Sequence, residues 1–148
     1  MRKSHIRDYA TSAFQFFALE GSAEGYGQRI WNEAVYEHQQ REIRGSAGAP
    51  TESAVIHADI ALKAHLGAIA DLEAVEKVMR ALELMEHGHI LKALRIVYMQ
   101  EPEREIEWGE IKDRMQQASL SIPASERSIY GWLAKARRMF AEERGLRL

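Results

Sequence analysis

The sequence predicts an all-α fold. Apolar residues recur at helical spacing through most of the 148 residues, for example at Ile129, Leu133, Ala136 and Phe140 near the carboxyl end. No alternating run of β-branched residues is long enough to predict a strand. The composition, 46% hydrophobic and 28% charged, is typical of a soluble globular protein with its own core.

Two helices are predicted in residues 1–44. Ser4 is placed to cap the first helix, which runs through Leu19 and stops at Gly21. Ser22 begins the second, which continues to the end of the range. We expect this pair to form a separate N-terminal domain that serves as a scaffold or a dimerisation unit.

A linker and a second helical domain are predicted to follow. Residues 45–51, GSAGAPT, combine glycine, proline and small residues, which indicates a loop. Residues 52–148 then read as one helical domain. Its first helix is predicted from Glu52 to about Met85, and 67–71 is the place where it would break, because Gly67 lowers the helix propensity there.

Three shorter helices are predicted in the last third of the chain. Pro102 places a turn between the first two, since the residue before a proline avoids helical geometry. Gly145 is placed for a carboxyl-terminal cap of the last one. The three helices are expected at residues 89–99, around 108–115, and at 124–143.

The last predicted helix has one apolar face and one cationic face. Net charge is −2 for the whole chain, yet residues 124–148 carry six basic and three acidic side chains, whereas 71–110 carry five basic and ten acidic ones. A positive helix with small residues in its outer face suits the DNA major groove. That outer face is expected to comprise Arg127, Tyr130, Gly131, Ala134, Lys135 and Arg138.

Three segments, taken in order, resemble region 4 of bacterial sigma factors. ILKALRIVYM is similar to its first helix, EIKDRM to its second and SIYGWLAKARRMF to the helix that reads promoter DNA. With its short N-terminal helices, the chain resembles phage-encoded late-transcription activators of the ArpU/RinA type. The resemblance implies a helix-turn-helix over residues 89–143, double-stranded DNA as ligand and RNA polymerase as a partner, with residues 101–110 as the acidic candidate for that contact.

The resemblance also implies which side chains reach DNA. Arg127 is expected to contact a guanine and Glu126 a cytosine, because their side chains match those base edges. Tyr130 would meet a thymine methyl or a phosphate. The remaining candidates for phosphate contacts are Ser125, Ser128, Lys135, Arg137 and Arg138.

The spacing between the second and third of these helices departs from the sigma pattern. Met115 to Ile129 is longer than the short turn of that family. Either the second helix runs on through Gln117, or the turn carries an insertion. The two alternatives place the recognition residues differently.

Two readings of the first helix stay open. Tyr9, Phe14, Phe16 and Phe17 carry more apolar surface than one helix face can bury. This surface suits packing within one core and suits a homodimer interface equally well. A dimer would read paired half-sites.

Enzyme, cofactor and metal functions are not indicated. We find no nucleophile with an identifiable base and no glycine-rich phosphate loop. Glu86 and His89 have the spacing of a di-iron ligand pair, but no second such motif exists in the chain. We therefore expect no metal and no cofactor.

The sequence suggests a cytoplasmic, DNA-binding transcription regulator encoded by a phage or prophage. The stretch from Ala54 to Ala70 contains His57, Asp59, Lys63 and His65, so no membrane contact is expected, and the N-terminus lacks a signal-peptide pattern. Two alternatives are an oligomeric phage packaging or structural protein with weak sequence preference, and a helical adaptor between proteins.

Overall fold

All regular structure in the described part of the chain is helical, which confirms the all-α prediction. The computed structural model describes residues 5–41 and 51–146. None of its helices is long and apolar enough to cross a membrane. The helices are α1 (His5–Glu20), α2 (Ala23–Arg41), α3 (Glu52–Ala64), α4 (Leu66–Leu84), α5 (Gly88–Val97), α6 (Trp108–Ser121) and α7 (Glu126–Glu143).

The helices form two compact units. The first unit consists of the residues up to Gly21 and those from Asp71 onward, and it contains α1, most of α4, and α5 to α7. The second unit is Ser22–Ala70, with α2, α3 and the beginning of α4. This division differs from the expected one, which placed residues 1–44 in one domain and 52–148 in another.

Packing of α1 explains the difference. Phe14 is fully buried, and its ring centroid lies 6.0 Å from that of Phe140 in α7 and 6.0 Å from that of Tyr98 beyond α5. Ala10 and Ala13 are buried in the same core. These long-range contacts tie α1 to the carboxyl-terminal helices.

The first helix ends where the sequence predicted. Gly21 has a φ of +83°, a conformation that costs glycine little, and its N–H donates to the carbonyl of Phe17 at 2.8 Å. The hydroxyl of Ser22 accepts a hydrogen bond from the N–H of Gly25 at 3.0 Å, which caps α2. The Ser4 cap, residues 42–44 of the second helix and residues 45–50 of the expected loop lie outside the described residues.

The break in the long predicted helix lies earlier than expected. It falls at His65, not at residues 67–71, because the N–H of His65 bonds to the carbonyl of Leu62 in a tightened last turn of α3. Gly67 lies in the first turn of α4. Helix α3 itself begins after Thr51, whose side chain accepts from the N–H of Ala54 at 3.1 Å.

The carboxyl end of α7 is attached to α1 and α4 by a polar cluster. Arg144 Nε donates to Asp71 Oδ1 at 2.7 Å, and the hydroxyl of Tyr9 donates to the same oxygen at 2.6 Å. The hydrogen bond to Asp71 is the largest of the effects that raise the pKa of the Arg144 guanidinium. Gly145 follows with a φ of +69° and ends the helix, as predicted.

We expect Asp71→Ala to lower the free energy of unfolding by about 1.5–3 kcal/mol, because it leaves a half-buried guanidinium without its carboxylate. Lys77→Ala is the matched control. Its ammonium lies 4.0 Å from Glu143 Oε2 and joins the same two helices, but both side chains are exposed, so the loss should stay below about 0.5 kcal/mol. Urea denaturation measures both, and equal losses would contradict a specific role for Asp71.

Candidate nucleic-acid interface

Helix α7 lies in the first unit with one face buried and the opposite face open. Ile129, Leu133 and Phe140 are essentially inaccessible to solvent. At 100° per residue, Arg127, Gly131 and Arg138 lie within about 40° of one another on the far side of the helix. All three are exposed. Three residues of the expected outer face, Arg127, Gly131 and Arg138, are therefore exposed side by side.

The turn before α7 is short, because α6 extends further than the sequence pattern alone required. Helix α6 continues to Ser121, past Gln117, and only Ile122 to Ser125 separate it from α7. The first of the two alternatives for this spacing is therefore correct. The hydroxyl of Ser119 donates to the carbonyl of Ala124 and holds the turn.

The first turn of α7 is capped by Ser125. Its Oγ accepts from the N–H of Ser128 at 3.1 Å and lies 3.0 Å from the Ser128 hydroxyl. Glu126 follows, exposed, where a negative charge complements the helix dipole. The two serines thus bond to each other at the helix terminus.

Two of the expected DNA-contacting cations have no partner within the described residues. The guanidinium groups of Arg127 and Arg138 make no hydrogen bond or ion pair there. Lys135 is exposed on the neighbouring part of the face, with its Nζ 3.4 Å from Nδ1 of His87. These three cations are available to an anionic ligand.

Arg137 and Tyr130 face another side of α7. Arg137 Nη1 donates to the hydroxyl of Tyr98 at 2.6 Å, and its Cζ lies 5.8 Å from the centre of the Tyr130 ring. Both side chains line a cleft of about 310 Å³ between α1, α6 and α7, next to Gln15 and Trp108. The expected site residues thus fall into two groups, and Arg137 belongs to the group engaged within the fold.

Sequence reasoning missed Arg114. This arginine is buried, and its Nη1 donates to the carbonyl of Val97 at the last residue of α5, at 3.1 Å. A cation at this position satisfies a helix carboxyl terminus and fixes α6 against α5. The spacing in the sequence indicates this burial. Arg114 lies three residues after Ile111 and four before Ala118, on the apolar face of α6.

Trp132 has core spacing, three residues after Ile129 and four before Ala136, but it is only half-buried and packs against the core. Its ring meets the ring of His89 edge-on, with centroids 4.5 Å apart. The rings of His87 and His89 lie 5.4 Å apart. Even so, no three histidine, aspartate or glutamate side chains in residues 5–41 and 51–146 are grouped to hold a metal ion.

The acidic segment between α5 and α6 is organised around Arg104. Its guanidinium bonds to Glu110 at 2.6 and 2.7 Å and to Glu101 at 2.7 Å. The hydrogen bonds from Arg104 lower the pKa of the Glu110 carboxyl. Beside this cluster, Trp108 is 70% exposed at the start of α6.

Comparison of the chain with protein-family models, with curated proteins and with solved structures gave no match.

We expect Arg137→Ala to lower the free energy of unfolding by about 1–2 kcal/mol, since it leaves the hydroxyl of the buried Tyr98 without its hydrogen-bond partner. Arg138→Ala, one residue further on the exposed face, should change it by less than about 0.5 kcal/mol. In a Tyr98→Phe background, Arg137→Ala should lower the free energy of unfolding by less than it does in the wild type. The hydrogen bond that the two side chains share is already absent in that background. Additive losses, measured by chemical denaturation, would show that the bond contributes nothing.

Proposed function

We propose that this protein is a sequence-specific DNA-binding transcription regulator and that α6, the four-residue turn and α7 form its helix-turn-helix. The observation that carries the proposal is the orientation of α7. Burial of Ile129, Leu133 and Phe140 leaves Arg127 and Arg138 pointing outward without partners in the described residues. To enter a DNA groove, a recognition helix needs one face held by the core and the opposite face exposed, and α7 has both.

The dimensions of the outer face support a major-groove ligand. From Arg127 to Arg138 the helix rises about 16 Å, at 1.5 Å per residue. This length exceeds the groove width of about 12 Å, so the face could contact bases and both flanking phosphate strands. Lys135, between the two arginines in sequence, adds a third positive charge.

Gly131 provides an independent argument. A glycine inside a helix costs about 1 kcal/mol relative to alanine. A Cβ at this position would meet nothing within 4 Å, so packing within the protein does not require glycine here. Close approach of an external surface, such as a DNA backbone, would explain why this position is a glycine.

The proposal includes a phage or prophage origin, a cytoplasmic location and contact with RNA polymerase, all of which rest on the resemblance to sigma region 4. The acidic segment from Glu101 to Glu110 is the candidate for the polymerase contact. Its exposed Trp108 is of the residue type that dominates many protein interfaces.

We expect Arg127→Ala to weaken binding to the specific DNA site by about 1–3 kcal/mol and to reduce discrimination at one base pair. The measurement is a fluorescence-anisotropy titration with a duplex selected by the wild-type protein from a random library, and with an unselected duplex, at two salt concentrations. Arg80→Ala, an exposed arginine of α4, is the control and should bind as the wild type does.

Three outcomes separate the candidate functions. Selection of a defined sequence supports the regulator. Weak binding that is equal for both duplexes would favour a packaging or structural protein, and absence of binding would favour an adaptor between proteins.

We expect Gly131→Gln to stabilise the protein by about 0.5 kcal/mol, because glutamine has the higher helix propensity. The same substitution should weaken DNA binding at least tenfold, since the side chain stands where the duplex approaches. Thermal unfolding and the anisotropy titration measure the two effects. A variant that is more stable and still binds with wild-type affinity would exclude close approach at this residue.

A further inference from the structure

Helix α3 carries apolar residues on two opposite faces. Its inner face, with Ala54 and Ala58, is buried in the second unit. Its outer face carries Ile56, 55% exposed, and Ile60, 61% exposed, one turn apart. Helices that are apolar on both sides are typically packed on both sides.

The interior of the second unit is small. Among its described residues, 22–41 and 51–70, those that are buried are four alanines and one tyrosine: Ala23, Tyr26, Ala34, Ala54 and Ala58. Alanine lets two helices approach closely, but it removes little apolar area from water, and the free energy of burial scales with that area. Small units of this kind commonly gain stability from a further helix or from oligomerisation.

The charges around the outer isoleucines indicate the kind of partner. Asp59 and Lys63 flank Ile60 on the same face, and they form an ion pair of 3.0 Å within the helix. In an antiparallel pair of α3 helices that meet through their outer faces, with the two-fold axis at the height of residue 61 along the helix, Asp59 of one copy lies opposite Lys63 of the other. The face is therefore complementary in charge to a second copy of itself.

The same axis aligns the apolar residues. Ile60 lies one residue from the axis, so the two copies of this side chain meet near the centre of the pair. Ile56 is placed towards the end of the partner helix, where Leu66 is also exposed. An isologous interface of this type is complete when two copies have joined, so the assembly stops at a dimer.

We propose that two copies of the protein associate through the outer faces of α3, antiparallel about a two-fold axis at the height of residue 61 along the helix. The α2–α3 hairpins of the two copies then form a four-helix arrangement. Helix α7 takes no part in this interface. This interface is separate from the aromatic residues of α1, where Phe14 is used within the core.

Sedimentation velocity over a range of protein concentrations, without DNA, tests the proposal on the full chain. The wild type should show a concentration-dependent monomer–dimer equilibrium. Ile60→Glu should shift the midpoint at least tenfold to higher concentration, with unchanged helicity by circular dichroism. Leu120→Glu, which replaces an exposed apolar residue of α6, is the matched control and should dimerise as the wild type does.

A charge exchange tests the antiparallel pairing. Asp59→Lys and Lys63→Asp should each weaken the homodimer, because like charges then face each other across the axis. An equimolar mixture of the two variants should form a heterodimer of near wild-type affinity. A mixture that stays monomeric would overturn the pairing, and a wild type that stays monomeric throughout would overturn the interface. Since no DNA is present, neither result depends on the proposed regulatory function.

Discussion

Burial of one face of α7 is the constraint on which the candidate interface depends. Phe140 packs against rings of α1, with centroids 5.8 Å from Tyr9 and 6.0 Å from Phe14, and Ile129 and Leu133 continue the buried face towards the amino end. Rotation of the helix would bring these side chains into water, at about 1.5–3 kcal/mol for each large residue. The direction of the opposite face is therefore set by the core.

Both ends of α7 are fixed by polar interactions that complement this burial. At the amino end, the Ser125 cap and the short turn from α6 determine where the first turn begins. At the carboxyl end, Arg144 bonds to Asp71, and the N–H groups of Gly145 and Leu146 satisfy carbonyls of the last turn. Arg114 in turn holds α6 on the end of α5. A ligand on the outer face would thus meet a preorganised surface.

Local patterns in the sequence predicted the helices well, and long-range packing limited the rest. The periodicity of α7 predicted its buried face, and Gly21 and Gly145 predicted two helix ends. These features depend only on residues that are close together in the sequence. The place of α1 was not predictable in this way, since Phe14 packs on residues more than eighty positions later. Arg137 was expected to track phosphates with Arg138, but its bond to Tyr98 depends on how α5 and α7 pack.

An NMR titration of the ¹⁵N-labelled protein with a DNA duplex that it selects tests most directly whether α7 reads DNA. We expect the largest shifts in amide resonances to cluster on the outer face of α7, at Arg127, Gly131, Lys135 and Arg138, and in the turn before it. Shifts confined to α2 and α3, or to the acidic segment before α6, would contradict the assignment of α7 as the helix that reads DNA.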